Sequence, residues 1–279
     1  AVKGVLPIAI NARSEGFKSI IVPLENANEA AVVEGIHVYG FSHIREVTDF
    51  LNGKQQAEPF TFDPTLSEVT NDLLYDFKDV KGQETVKRAL EIAAAGAHNL
   101  LMVGAPGSGK TMLARRLPGI LPPMTVEESL ETTKIHSVAG KLSRNCSLIT
   151  TRPFRSPHHT ISPIALIGGG AFPRPGEISL ATNGVLFLDE LTEFQRNVLE
   201  VMRQPLEDRK ITISRARYSV DYPANFMLIA SMNPCPCGYY NHPDRPCLCS
   251  PGAVQKYMNR VSGPPLEDVL LVERTDVVE

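Results

Sequence analysis

The stretch Gly104-Ala-Pro106-Gly107-Ser108-Gly109-Lys110-Thr111 carries the densest chemistry in the chain. Its spacing, a glycine, four residues, Gly-Lys and a hydroxyl residue, is that of a phosphate-binding loop. Gly107 and Gly109 let the backbone turn its N–H groups toward phosphate oxygens. Lys110 supplies a positive charge near the β- and γ-phosphates, and Thr111 offers a hydroxyl to Mg²⁺. Gly104, Pro106, Ser108 and Met112 complete the loop and first helical turn that would line a nucleoside triphosphate such as ATP. Downstream, the acidic pair Asp189-Glu190 follows the apolar run Gly184-Val-Leu-Phe-Leu188. This is the Walker B arrangement: Asp189 would hold Mg²⁺ through water, and Glu190 would polarise the attacking water. Asn233 follows Phe226-Met-Leu-Ile-Ala230 and Ser231-Met232, where its amide could orient that water. An Asn before Pro234 is also an ordinary turn former.

These groups need strands behind them and a helix in front. Asn99-Leu-Leu-Met-Val103 reads as a buried strand, and Met112-Leu-Ala-Arg-Arg-Leu117 as the opening of a helix whose N-terminus favours an anion. Gly184–Leu188 and Phe226–Ala230 read as further core strands, and 84–97 as a helix. Before them, Ile8–Arg13, Asn28–Val33 and Ile44–Leu51 read as helices, and Ser19–Val22 and Ile36–Tyr39 as strands. Residues 52–75 read as a linker of polar and turn residues.

Between the phosphate loop and the acidic pair, 152–181 is rich in Pro and Gly, and little regular structure is expected there. It includes Pro157-His158-His159, a weak candidate for metal ligation. Lys210–Arg215 alternates β-branched and polar residues and could pair with Tyr218–Val220 as a hairpin. Arg203, Arg209, Lys210, Arg215 and Arg217 make this neighbourhood basic. Loops gripping a polymer by its backbone would look like this, as would solvated charge on a hairpin.

Cys146 stands alone, whereas Cys235-Pro-Cys237 and Cys247-Leu-Cys249 form two close pairs. Four thiolates can complete a tetrahedral Zn²⁺ site, although Cys-x-Cys is tighter than the usual spacing. Reduced thiols and disulfides are the alternatives, the last disfavoured by an intracellular setting. The 279 residues allow two domains, 43% hydrophobic content supports a packed core, and a net charge of −3 argues against coating nucleic acid by bulk charge. Without a signal pattern or an apolar run of membrane-spanning length, a soluble cytoplasmic protein is expected, with no membrane partner.

The chain resembles the magnesium-chelatase-like AAA+ ATPases of the YifB/ComM family over residues 75–263. The resemblance is carried by Asp79-Val-Lys-Gly-Gln83, the phosphate loop with Thr111-Met-Leu-Ala-Arg-Arg-Leu-Pro118, Ile135-His-Ser-Val-Ala-Gly140, Phe154-Arg-Ser-Pro-His-His159, Gly168-Gly-Gly170, Leu188-Asp-Glu-Leu191 and Asn233-Pro-Cys-Pro-Cys-Gly238. It implies an α/β fold: a P-loop AAA+ α/β/α core with a parallel sheet, over 76–279, lacking the helical lid. It makes Asn233 the sensor-1 residue and Val80 an apolar contact of adenine. Residues 1–51 resemble the end of a Lon-protease-like domain of the ribosomal S5 domain 2 type. The Lon catalytic Lys aligns with Leu6, which speaks against peptidase activity. The start at Ala1 without Met is expected of an excised piece. Family members form ring hexamers that thread or clasp DNA, here through 152–181 and 203–220, and one branch drives branch migration in recombination and natural transformation. Chelatase relatives drive metal insertion into a porphyrin, so a remodeller of a protein partner is the alternative. Asp268 stands where the family places a trans-acting Arg. That keeps open a nucleotide-gated binding module without turnover, and leaves Arg260 as a substitute finger.

Overall fold

The computed structural model describes residues 1–62, 67–68, 75–142, 146–170, 173–215, 218–260 and 269–275. Asp268 and Arg217 lie outside them. The chain opens with α1 (Val5–Ser14), β1 (Ser19–Pro23), α2 (Ala27–Ala31), β2 (His37–Phe41), α3 (Ile44–Leu51) and the short β3 (Ser67–Glu68). There follow α4 (Glu84–Gly96), β4 (Asn99–Gly104), α5 (Lys110–Arg116), α6 (Val126–Ala139) and β5 (Leu148–Ile149). The next segment holds β6 (Phe154–Arg155), α7 (Pro163–Ile167), β7 (Gly168–Gly169), β8 (Arg174–Pro175), α8 (Glu177–Leu180) and β9 (Val185–Leu188). Last come α9 (Arg196–Glu200), α10 (Arg203–Asp208), β10 (Lys210–Arg215), β11 (Tyr218–Pro223), β12 (Met227–Met232), α11 (Pro251–Met258) and β13 (Val269–Thr275).

The chain divides into two compact units, 1–70 with 124–151, and 71–123 with 152–279. This differs from a linear division at 51 and 75: part of the expected linker, Phe60, bridges to Val38, and β3 pairs in parallel with β5. Helix α6, which has no apolar stripe and was not anticipated, belongs to the first unit. Its start is a capping box in which Thr125 Oγ1 accepts from Glu128 N and Glu128 accepts from Thr125 N. Gly140 ends it in the left-handed region, φ 66°. The buried carboxylate of Glu29 ties the unit together, accepting from Leu6 N at 2.9 Å, from Asn26 Nδ2 at 3.0 Å and from the Ser137 hydroxyl of α6. A buried carboxylate is tolerated because hydrogen-bond donors from three places in the unit meet it. Val5, Leu6, Ala9, Val22, Ala30 and Val38 form the apolar core of this unit, under the parallel pair β1–β2.

The second unit is built on a five-stranded parallel sheet in the order β13-β4-β12-β9-β6. Strands β9 and β12 are buried along their whole length, and β4 at all but its first residue. Central parallel strands covered on both faces read as unbroken apolar runs, which is why these three were legible as strands. Leu90, Leu100, Met102, Leu113, Leu117, Phe187 and Ile229 form the core between sheet and helices.

The expectation of little regular structure over 152–181 is corrected. Phe154–Arg155 is the edge strand of the main sheet, and the Phe154 and Phe187 rings stack at 5.9 Å. Two short helices and the two-stranded β7–β8 follow. The backbones cross so closely that a Cβ on Gly176 would meet the Leu166 carbonyl oxygen at 2.4 Å. The β10–β11 hairpin forms as expected and runs on to Pro223. It packs against this segment: Tyr222 donates its hydroxyl to the Pro173 carbonyl at 3.0 Å, and Ile213 lies against Gly168.

Candidate functional site

Parallel strands deliver their C-terminal ends to one edge of the sheet, and the chemistry of an α/β fold collects there. Here β4, β9 and β12 end beside one another and supply the phosphate loop, Asp189-Glu190 and Asn233 in turn. Gly107 and Gly109 have φ of 78° and 80°, in the region open to glycine, and a Cβ on Gly107 would meet nothing within 4 Å. The loop thus stays open on the side where an anion would approach. A cleft of about 720 Å³ is lined by Pro106 to Met112, Asp189, Glu190, Thr192, Glu193, Ser231 to Asn233, Pro236, Tyr257 and Arg260.

Lys110 is buried, and its ammonium donates to the carbonyls of Gly104 at 2.8 Å and Ala105 at 2.9 Å, and to Asn233 Oδ1 at 3.4 Å. Burial lowers its pKa from the ordinary lysine value, while Asp189 and Glu190 pull it back up. A cation held this way gains from an incoming anion. Thr111 Oγ1 donates to Asp189 Oδ2 at 2.7 Å. The other carboxylate oxygen accepts from the Ser231 hydroxyl and from Glu190 N. Two hard oxygen donors side by side next to the phosphate loop suit Mg²⁺. Glu190 has φ 54°, and its carboxylate is well exposed at the cleft.

Of the expected residues, Pro106 to Met112, Asp189, Glu190 and Asn233 line one cleft, whereas Gly104 is not among its lining residues and instead accepts from Lys110 through its carbonyl. Val80 is not among the residues lining the cleft: it is buried among Val86, Leu90 and Leu113 in the core. Several partners went unrecognised. His159 Nδ1 stands 3.6 Å from Glu190 Oε2, and its ring lies 4.1 Å from that of His158. Gln83, with φ 56°, donates from Nε2 to the Ser108 carbonyl at 2.8 Å, anchoring the phosphate loop from the start of α4. Ser231 lies in the strand before Asn233, and a hydroxyl in an otherwise apolar run was the signal available. Arg260, expected as a substitute finger, does line the cleft and approaches Glu193 at 3.9 Å.

The basic neighbourhood is partly spoken for. Arg152 donates to the carbonyls of Pro122 and Asn183, Arg155 forms a two-pronged pair with Glu177, Arg203 pairs with Glu207, and Arg209 donates to the Phe226 carbonyl. The cysteines come together. The sulfurs of Cys235, Cys237, Cys247 and Cys249 all lie within 4.8 Å of one another. N–H groups of Tyr239 and Leu248 draw the Cys237 thiol down to about 6.

The family model described as magnesium chelatase, subunit ChlI, matches residues 76–278. The chain belongs to the YifB/ComM magnesium-chelatase-like family. This magnesium-chelatase-like chain is 46% identical over 274 residues to the competence protein ComM of Haemophilus influenzae, covering 95% of the chain and 52% of that protein. It is 47% identical over 272 residues to YifB of Escherichia coli, covering 96% and 52%. It therefore spans about half the length of these relatives. Among solved structures it is similar to a chain of the BchI–BchD complex of magnesium chelatase, with 20% identity, a TM-score of 0.47, and coverage of 73% of this chain and 63% of that one. Among the described residues, no helix is long and apolar enough to cross a membrane.

Proposed function

We propose that this protein binds and hydrolyses ATP as the motor core of a cytoplasmic AAA+ ring, hexameric at full length, acting on DNA in recombination or natural transformation. The observation that carries the ATP part is the meeting of Lys110, Thr111, Asp189, Glu190 and Asn233 at one cleft. Lys110 exchanges its loop carbonyls for phosphate oxygens. Thr111 and Asp189 would hold Mg²⁺, which would supply charge neutralisation for the triphosphate. Glu190 takes the proton of the attacking water, and Asn233 orients that water from the end of β12. Arg260, which lines the cleft, is the candidate within the chain for a finger.

The DNA part rests on family membership, on the similarity to a competence protein, and on the hairpin held against Gly168 and Pro173. Residues 1–51 are read as the end of a Lon-like domain without peptidase function. A second reading, an ATP-dependent remodeller of a protein partner, is favoured by one observation: Arg152, Arg155, Arg203 and Arg209 are engaged within the chain rather than offered to a polymer. The test is the ATPase rate of the full-length protein with and without single-stranded and branched DNA, with Lys110→Ala as the blank. Stimulation that vanishes in Lys110→Ala supports the DNA motor. A DNA-indifferent rate that rises with a protein partner favours the remodeller, and tight ATP binding without turnover leaves a nucleotide-gated binding module.

A further inference from the structure

Between β12 and α11, residues 233–250 contain no helix or strand, yet this segment borders the cleft through Asn233 and Pro236. Its shape must come from something other than a backbone ladder. The four cysteine sulfurs supply a reason. Cys235 and Cys237 are 3.3 Å apart, Cys235 and Cys247 3.7 Å, and Cys237 and Cys247 3.6 Å. A covalent disulfide would need about 2.05 Å. Around a tetrahedral Zn²⁺ with Zn–S bonds of about 2.3 Å, sulfurs stand roughly 3.8 Å apart. The three separations among Cys235, Cys237 and Cys247 lie at or just under that spacing, and the Cys249 sulfur stands within 4.8 Å of each of them, close enough to complete a four-sulfur set. A backbone N–H, that of Cys249, also points at the Cys247 sulfur at 3.4 Å, as N–H groups do toward thiolate ligands.

The cage is built onto the phosphate site. Cys235 is fully buried two residues after Asn233. The turn that carries Cys235 and Cys237 closes with Gly238 N donating to the Cys235 carbonyl at 3.0 Å, Gly238 having φ 86°. At Gly238 a Cβ would stand 2.5 Å from Cδ of Pro106. Only a glycine lets this turn lie directly on the phosphate loop. The same turn therefore holds two of the sulfurs, touches the phosphate loop and ends the segment that presents Asn233.

We propose that Cys235, Cys237, Cys247 and Cys249 bind one Zn²⁺, and that this ion braces Asn233 and the phosphate loop so that nucleotide affinity depends on the metal. Binding displaces the thiol protons to solvent, with no change in oxidation state. The bracing half rests on the reading of the cleft as a nucleotide site; the metal half does not.

Full-length protein is tested first for bound zinc, then after chelation for Co²⁺ binding, read from thiolate charge-transfer and tetrahedral d–d bands. One metal per chain is expected, with bands lost in Cys247→Ser/Cys249→Ser. Folded protein with no zinc and no cobalt bands overturns the site. Affinity for a fluorescent ATP analogue is then measured before chelation, after it and after zinc is restored, with circular dichroism to follow folding. A roughly tenfold loss that zinc reverses is expected. Unchanged affinity in the zinc-free protein overturns the brace. Lys110→Ala separates the two readings: it should keep its zinc and lose the analogue. Wild-type affinity in Lys110→Ala would sink the nucleotide site and the brace with it, while the cobalt spectrum alone decides the metal.

Discussion

The nucleotide cleft and the assembly of 152–181 with the β10–β11 hairpin are held together by different means. At the cleft, three buried parallel strands end side by side: Asp189 directly follows β9, Asn233 directly follows β12, and β4 runs into the phosphate loop that carries Lys110 and Thr111. Packing the strands is enough to bring the chemistry together. In the assembly, short elements are joined by a close backbone crossing at Gly176, a tyrosine hydroxyl on a carbonyl, and the Arg155–Glu177 pair. The first is a motif on a rigid sheet, the second a set of contacts between residues far apart in sequence. Chemistry on a sheet edge should thus fail in function when a side chain is changed, and the assembly should fail in stability.

The largest effect expected is at the cleft. Glu190→Gln should lower kcat about 10²–10⁴-fold with ATP-analogue affinity kept, measured by steady-state turnover beside equilibrium binding. Gly176→Ala should break the assembly instead. Its Cβ would meet backbone at 2.4 Å, which cannot yield as a flexible side chain would. A loss of about 1–3 kcal/mol in denaturant unfolding is expected, and an unchanged midpoint would refute the crossing as a stability element. His159→Ala joins the two regions, since His159 comes from the 152–181 segment and meets Glu190. Here kcat should drop roughly threefold to tenfold at constant analogue affinity, because Glu190 loses the neighbour that positions it. If turnover does not change, His159 is a bystander.

The smallest effect is with pH. The charged form of Lys110 attracts phosphate, and burial lowers its pKa below the ordinary 10.5. As pH rises through that lowered value the charge is lost, so affinity for the ATP analogue should decline before pH reaches the usual lysine range. Lys110→Arg cannot deprotonate there, so its weaker binding should stay flat across the same titration.

Much of the cleft is legible in the sequence alone. The phosphate loop spacing and the carboxylate pair after an apolar run identify themselves because their geometry is local: a few consecutive residues both form the turn and carry the groups. Asn233 needed only the strand before it. The Cys pairs announced a possible metal, but not that their turn rests on Pro106. Helix α6 was missed because its burial does not follow a helical stripe, although the Thr125–Glu128 capping box marked its start. Val80 was expected at adenine, and its packing against Val86 and Leu90 could not be read from its neighbours in sequence.

The amino-acid sequence by itself determined the three central strands β4, β9 and β12, the residues at their ends and the family to which the chain belongs. These follow from apolar runs and from short motifs whose geometry is set within a few residues. Tertiary structure alone decided that Phe154–Arg155 closes the sheet edge, that α6 belongs with residues 1–70 through Glu29, that His159 meets Glu190 and that Gly238 lies on Pro106. Each of these joins residues with no local pattern in common, and long-range packing picks such partners by shape and by unspent hydrogen bonds, neither of which a short window of sequence contains.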